Sequence, residues 1–202
     1  MLADTGKRVI SALRSKVRVI QASNVRKALR YLADTNLKGV FVADEGIVEK
    51  ENAEVLYALI EWVNAGGIAV IGGLFASFIS FTEFDGFFNK WGLPWTMGDY
   101  TRMSLVLNPS IHQLSSHSAN LATSFSMKAL HLRGVKAEDI IYVPEEDEDS
   151  DPDSDSDVQF RDFPPQNVSV AYTRVGDGFL GYVGDVNSAE GSTSAILAML
   201  KL

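Results

Sequence analysis

LYALIEWVNAGGIAVIGG, residues 56–73, is the stretch that decides the fold class of this chain. Its first half has apolar residues at helical spacing, and a glycine pair ends that helix because glycine accepts a left-handed C-cap. The following IAVI is an unbroken apolar run, which suits a strand buried on both faces, and Gly72 and Gly73 close it. The stretch therefore predicts a helix followed by a buried parallel strand.

The alternation of helix and strand continues on both sides of this stretch. Helices are predicted at 4–16, from a cap at Ser23 or Asn24, at 52–64, from a capping arrangement of Thr82 with Asp85, and from a cap at Ser192. Strands are predicted at 17–22, 40–43, 68–71, 102–107, 127–132, 139–143, 168–175 and 178–184. Gly176-Asp177 between the last two strands is a hairpin signal. We expect a flavodoxin-like α/β fold with a doubly wound, mostly parallel sheet, helices on both faces and a C-terminal β-hairpin.

Length and composition favour one domain over residues 1–202. The sequence contains no cysteine, which excludes disulfides, thiolate catalysis and cysteine-ligated zinc. No apolar run reaches the roughly 18 residues that span a bilayer, and the first residues lack a secretory apolar region. We expect a cytoplasmic or nuclear protein.

The acidity of the chain is concentrated in EEDEDSDPDSDSD, residues 145–157, which holds nine acids and no base. Without these nine charges, the net charge of −8 would become +1. We expect a disordered, solvated loop here. Ser150 and Ser154 are candidate phosphorylation sites because each has an acid three residues on. Alternate acids from Asp151 resemble the start of a calcium loop, but the loop's glycine and closing glutamate are replaced, so calcium ranks last and no metal is expected.

The segment 80–95 is rich in aromatic residues, and Phe84, Phe87, Phe88 and Trp91 follow helical spacing. Such a stripe most simply packs a helix onto the core. It could alternatively form a protein-interaction surface, because aromatic rings are enriched at contact hot spots. No basic stripe or basic amphipathic helix was evident, so neither nucleic acid nor membrane is expected as a partner.

The glycine-bounded IAVIGG and its preceding helix resemble the class I glutamine amidotransferase-like superfamily, and its ThuA-like branch more closely. GFLGYVGDVNSAEGSTSAILAML, residues 178–200, is similar to that family's final strand, turn and helix. The likeness spans roughly 17–76 and 168–202, and residues 80–166 do not map onto it. The family opens with a strand whereas this chain opens with a helix, so a sheet position is expected to be unfilled and to invite pairing.

The resemblance implies a nucleophilic cysteine in the turn after IAVI and a histidine and glutamate after the last strand. This chain instead has Gly72-Gly73-Leu74 in the first place and Gly184-Asp185-Val186 in the second. Two triad members are therefore replaced, and amidotransferase activity is not expected. Sugars are the ligand class that the ThuA-like resemblance implies.

Ligands of open parallel sheets bind beyond the carboxyl ends of the strands. The candidate ligand-binding residues there are Asp44, Glu45, Gly46, Gly72, Gly73, Asp185 and Asn187. Asp44 and Glu45 could equally be solvated turn residues, and the two glycines could serve close packing.

Ser77 and Asp185 are weak catalytic candidates, since Ser77 lies outside any G-x-S-x-G elbow. His112 and His117 are five residues apart, a spacing that disfavours a shared metal on a helix. No cofactor is expected.

Three functions remain open from the sequence. The leading one is a non-catalytic amidotransferase-like domain that binds a sugar-like ligand or acts as a homo-oligomeric scaffold. The alternatives are a hydrolase or carbohydrate-modifying enzyme with displaced catalytic residues, and an interaction module that uses the aromatic 80–95 segment.

Overall fold

A computed structural model describes residues 2–111, 114, 120–145 and 167–202, with side chains from residue 7 onward. The predictions made for His112, His117, Ser150, Ser154 and most of the acidic run lie outside these residues.

The described elements are six α-helices and seven strands in α/β alternation. The helices are α1 Leu2–Lys16, α2 Val25–Leu32, α3 Ala53–Asn64, α4 Phe75–Phe78, α5 Phe81–Lys90 and α6 Glu190–Met199. The strands are β1 Val40–Val42, β2 Ile68–Ile71, β3 Thr96–Leu107, β4 Ser124–Arg133, β5 Tyr142–Pro144, β6 Val170–Val175 and β7 Gly178–Val183. Short 3-10 helices lie at Glu45–Val48, Lys50–Asn52 and Ala137–Asp139.

The central sheet has the strand order β1-β2-β7-β6. β1, β2 and β7 are parallel, and β6 pairs antiparallel with β7 across Gly176-Asp177. All four residues of β2 are buried, as its unbroken apolar sequence predicts. The fold is therefore mixed α/β with a mostly parallel main sheet.

Two hydrophobic clusters cover the two faces of the main sheet. Ala69 and Ile71 pack with residues of α3 and α5, while the alternate residues Ile68 and Val70 pack with residues of α1 and α6. This division follows from the two-residue period of a strand, which sends successive side chains to opposite faces. The sheet thus lies between two helical layers.

A second sheet of order β4-β3-β5 is antiparallel and joins the main sheet at its β6 side. Isolated bridges link Leu132 to Val168 and Ile140 to Ala171, and the amide of Ile141 donates to Val170 at 3.1 Å. These contacts cover the β6 edge. Among the described residues, β1 pairs only with β2, so the opposite edge has no strand beyond it.

The predicted strand at 17–22 is wrong, because these residues form neither helix nor strand. Val17 and Ile20 are 37 % and 45 % exposed, and residues 18–23 make no backbone–backbone hydrogen bonds to the described part of the chain. A β-favouring sequence still requires a neighbouring strand to supply its ladder. No such neighbour pairs with it here.

The aromatic stripe of the segment 80–95 lies in the hydrophobic core. Phe84, Phe87, Phe88, Trp91 and Trp95 are each at most 4 % exposed. The rings contact one another and Tyr182 of β7, largely edge-to-face. Most aromatic rings of this segment therefore cannot form a contact surface, and the alternative that they do is contradicted for these five rings. Phe81, at 68 % exposed, is the exception.

Two predicted helix caps are also wrong. Ser192 lies inside α6 rather than before it, since Ala189 is the N-cap residue. Thr82 lies inside α5, and the Asp85 carboxylate accepts the Met97 amide at 2.8 Å instead of capping its own helix. Asn24 does cap α2, because its side chain accepts the amide of Lys27 at 3.0 Å.

Over the described residues, the helices are too short or too polar to cross a bilayer.

Candidate functional site

A small pocket lies beyond the carboxyl ends of β2 and β7, where parallel sheets bind ligands. Its lining residues come from α1, from the turns after β2 and β7, and from α6: Val9, Gly73, Val183, Asp185, Ser188, Ser192, Thr193 and Ile196. The turns after β2 and β7 meet here because these strands are hydrogen-bonded neighbours in the sheet. Gly73 and Asp185, both candidates from the sequence, are thereby brought together.

The turn after β2 is held against the end of β1. The amide of Gly72 donates to Val42 at 3.0 Å, and that of Leu74 donates to Ala43 at 2.7 Å. Gly73 has φ +65°, and a Cβ at this position would lie 2.8 Å from the Ala43 carbonyl oxygen. The turn therefore requires glycine for both conformation and space. It carries no nucleophilic side chain.

The carboxylate of Asp185 is 4 % exposed and is occupied by the backbone of its own turn. Oδ1 accepts the Asn187 amide at 2.8 Å, and Oδ2 accepts the Ala189 amide at 2.6 Å. Ser188 between them has φ 58°, an uncommon conformation for a residue with a side chain. Asp185 thus shapes the entry into α6.

Two hydroxyls in the first turn of α6 are buried without a partner. Ser192 is 3 % and Thr193 is 8 % exposed, and neither Oγ nor Oγ1 has a hydrogen bond among the described residues. Both residues line the pocket, whose volume of about 10 Å³ is close to that of a single water site. Unpaired buried hydroxyls cost free energy, so a water-sized polar guest would satisfy them.

Asp44, Glu45 and Gly46 follow the end of β1 that is hydrogen-bonded to this turn, but they do not line the pocket. Asp44 caps the short helix Glu45–Val48 by accepting the Gly46 amide at 3.1 Å, and Asn52 donates to the Gly46 carbonyl at 2.7 Å. The Asp44 carboxylate and the Gly46 peptide group are therefore engaged within this segment. Asp44 is exposed, as a solvated turn residue would be, and the ligand-binding role of these residues stays a prediction.

Asn187 is exposed and is not one of the residues that line the pocket. In the side-chain orientation that satisfies both polar atoms of the amide, the oxygen accepts from Arg102 Nη2 at 3.0 Å and the nitrogen donates to the Val186 carbonyl oxygen at 3.2 Å. This contact connects the turn after β7 to the long strand β3.

Ser77 is exposed on α4, and no described histidine is hydrogen-bonded to it. The described histidine, His131, is paired with a different serine. Among the described residues, no group of three or more acidic, histidine or cysteine side chains could hold a metal ion.

A buried polar pair at the junction of the two sheets was not predicted from the sequence. Ser169 Oγ and His131 Nδ1 are 2.9 Å apart, and His131 Nε2 lies 3.3 Å from the Thr101 carbonyl oxygen. With Nε2 protonated, the ring donates to Thr101 and accepts from Ser169. Burial lowers the pKa of His131, against smaller raising effects of Thr101 and the nearby Asp99 charge.

This dyad is structural, because both residues are 0 % exposed and no substrate can reach them. Asp99 beside it is paired with Arg133 at 2.9 Å and with the Asn167 side chain at 2.8 Å. One signal could have revealed the pair: a histidine among the apolar residues of a predicted strand needs a buried partner.

Neither a family model nor a curated protein matches this chain. Among solved structures, it is similar to a protein from Parabacteroides merdae ATCC 43184 described as ThuA-like, with a TM-score of 0.54. The two sequences are 12 % identical, and the alignment covers 98 % of this chain and 84 % of that one. The chain therefore has a fold related to that of a ThuA-like protein.

Proposed function

We propose that this protein is a non-catalytic relative of the class I glutamine amidotransferases that acts by binding, as a scaffold rather than as an enzyme. The observation that carries this proposal is the state of the pocket: it is water-sized, and both oxygens of its one carboxylate, Asp185, already accept backbone amides. A general base or acid needs an oxygen that can reach a substrate proton. The pocket is also too small to hold a substrate molecule.

The superfamily assignment and a doubly wound arrangement are parts of this proposal. They are supported by the glycine turn at Gly72-Gly73, by its hydrogen bonds to the end of β1, and by helices on both faces of the sheet. The cysteine-free sequence supports a cytoplasmic or nuclear location.

Turnover assays test the proposal directly. We expect the purified chain to release no ammonia from glutamine and to hydrolyse neither a nitrophenyl ester nor nitrophenyl glycosides above the rate of Asp185→Asn. Turnover by the wild type that Asp185→Asn or Ser77→Ala abolishes would establish the rival, an enzyme with displaced residues. Ser11→Ala, a change of an exposed serine on α1, is the matched control for Ser77→Ala.

A small polar ligand is the second candidate, favoured by the unpaired hydroxyls of Ser192 and Thr193. A sugar is larger than this water-sized pocket, so binding one would require the lining, which includes Val9 of α1, to move. We expect monosaccharides to leave the melting temperature unchanged. A sugar-dependent rise that Thr193→Val removes would assign the pocket to sugar binding instead.

The oligomeric state tests the scaffold part independently. We expect light scattering to give a mass above that of one 22.1 kDa chain at micromolar concentration. A monomer that also binds no protein partner would leave the scaffold proposal without support.

A further inference from the structure

Half of the basic residues of this chain lie in its first 38 residues. This segment holds nine of the 18 Lys and Arg and two of the 26 Asp and Glu, which leaves a net charge of +7. The acidic run at 145–157 carries nine negative charges, and all remaining residues together carry −6. Outside the acidic run the chain is therefore nearly neutral only because this strongly basic segment offsets the −6 of the remaining residues, so the absence of a basic stripe inferred from the sequence is wrong for the first 38 residues.

The basic side chains of α1 and α2 point outward. Val9 and Leu13 are the buried residues of the described part of α1, and their cluster includes residues of α6, which leaves Arg8 and Arg14 on the exposed side. α2 packs against α3 and exposes Arg26, Lys27 and Arg30. We call Arg8, Arg14, Arg18, Arg26, Lys27 and Arg30 the basic N-terminal surface.

These charges are not neutralised by the described part of the fold. No carboxylate of the described residues lies within ion-pair distance of Arg8, Arg14, Arg18, Arg26 or Lys27. Arg30 contacts the neighbouring Tyr31 hydroxyl at 2.8 Å. A concentration of like charge without counter-charges destabilises the folded state and attracts a polyanion.

The shape of this surface requires an extended occupant. α1 packs on the α6 side of the sheet and α2 on the α3 side, so the connection between them passes from one face to the other. Residues 18–23 in this connection also leave their peptide groups unpaired with the described backbone. A compact ion would cover one end of the surface, whereas 13 extended residues reach about 43 Å.

We propose that the basic N-terminal surface binds the acidic run at 145–157 of the same chain. The charges are complementary, nine negative against a segment of +7. The run begins directly after β5, and Tyr142 of β5 belongs to the same hydrophobic cluster as Leu13 of α1. A tethered segment has a millimolar effective concentration, which a second copy reaches only at high protein concentration. Phosphorylation of Ser150 and Ser154 would add charge to the run and tighten the contact.

The cysteine-free chain permits a clean distance test. A spin label on Ser154→Cys should broaden the amide signals of residues 8–30 at low salt. Since exposed charges are screened within about 3 Å at 1 M salt, the broadening should disappear there. It should also disappear in the variant Arg14→Glu, Arg18→Glu, Arg26→Glu. The matched control, Lys50→Glu, Lys90→Glu, Lys136→Glu, makes the same charge change elsewhere and should retain it.

Absent broadening at 8–30, or broadening that survives the Arg-to-Glu variant, would overturn the proposal. Mixing spin-labelled chains with unlabelled isotope-enriched chains identifies the other occupant: broadening in the mixture would mean that the run of a second copy binds. A competition measurement is independent of the label. Replacing the acids of the run by Asn and Gln should increase affinity for a short DNA duplex at least tenfold, and unchanged affinity would show that the run leaves the surface open.

Discussion

The two ends of the described chain, residues 2–38 and 167–202, are similar in length and opposite in burial. In α6, seven of ten residues are buried, whereas in α2 none of eight is. The C-terminal part supplies a central strand and a helix fixed on one face of the sheet, while the N-terminal part contributes one apolar stripe per helix. The comparison teaches that one end of an α/β fold can be fixed by core packing while the two helices at the other end mainly carry exposed charge.

The largest loss of stability is expected from a substitution in the aromatic core that packs against β7. Phe88 contacts Trp95 at 5.2 Å and Tyr182 at 5.7 Å between ring centroids. Phe88→Ala should lower the free energy of unfolding by about 3–5 kcal/mol, measured by urea denaturation, because it leaves a cavity. Phe81→Ala, which removes an exposed ring of the same helix, should cost less than about 0.5 kcal/mol. Equal losses would contradict the assignment of this stripe to the core.

Asp185 tests whether the turn after β7 depends on its carboxylate. Asp185→Ala should cost about 1–3 kcal/mol, since the amides of Asn187 and Ala189 lose their buried acceptor. Asp185→Asn keeps one acceptor oxygen, so its loss in the free energy of unfolding should lie between zero and that of Asp185→Ala. If both variants unfold at the urea concentration of the wild type, the carboxylate is free for another role.

The His131 pair predicts a pH dependence. Burial holds its pKa in the folded state below the ordinary value, so the unfolded chain binds the proton first as the pH falls. The free energy of unfolding should therefore be constant above about pH 6.5 and decrease below it. His131→Gln should flatten the melting temperature between pH 5 and 7. A wild-type melting temperature that rises as the pH falls from 7 to 5 would contradict the assigned neutral ring.

The smallest effect is expected at the N-terminal end. Asn24→Ala removes the cap of α2 and should cost about 1 kcal/mol. Hydrogen exchange of the amides at 25–32 should increase while that of α6 stays unchanged. A loss of protection in both helices would mean that the two ends unfold together.

Much of the fold was predictable because the sequences of its buried strands are characteristic of strands by themselves. IAVI at 68–71 is apolar at every position, and only a strand or helix buried on all sides tolerates that sequence. VRVIQA at 17–22 has similar local preferences and forms no strand. The difference is the neighbour: β2 lies between β1 and β7, and residues 17–22 have no described ladder partner.

The site was predictable to the extent that topology alone determines it. The rule on carboxyl ends selects Gly73 and Asp185 correctly as neighbours. It cannot say that Asp185 turns both oxygens inward to amides, because that depends on the conformation of three residues after it. It equally cannot foresee the His131–Ser169 pair, whose members are separated by 38 positions and meet only at the junction of two sheets.

The strand order carries a consequence for how the chain reaches its native state. β7 inserts between β2 and β6, so Ile68 finds its partner Phe179 more than a hundred residues further along the chain. During synthesis, β1 and β2 are made long before β7, so the edge of β2 that pairs with β7 stays unpaired until β7 has been synthesised. Such distant pairing slows folding, because the entropy of a large loop is lost before the contact forms. We expect refolding in milliseconds to seconds, with the parallel pair β2–β7 as the late step.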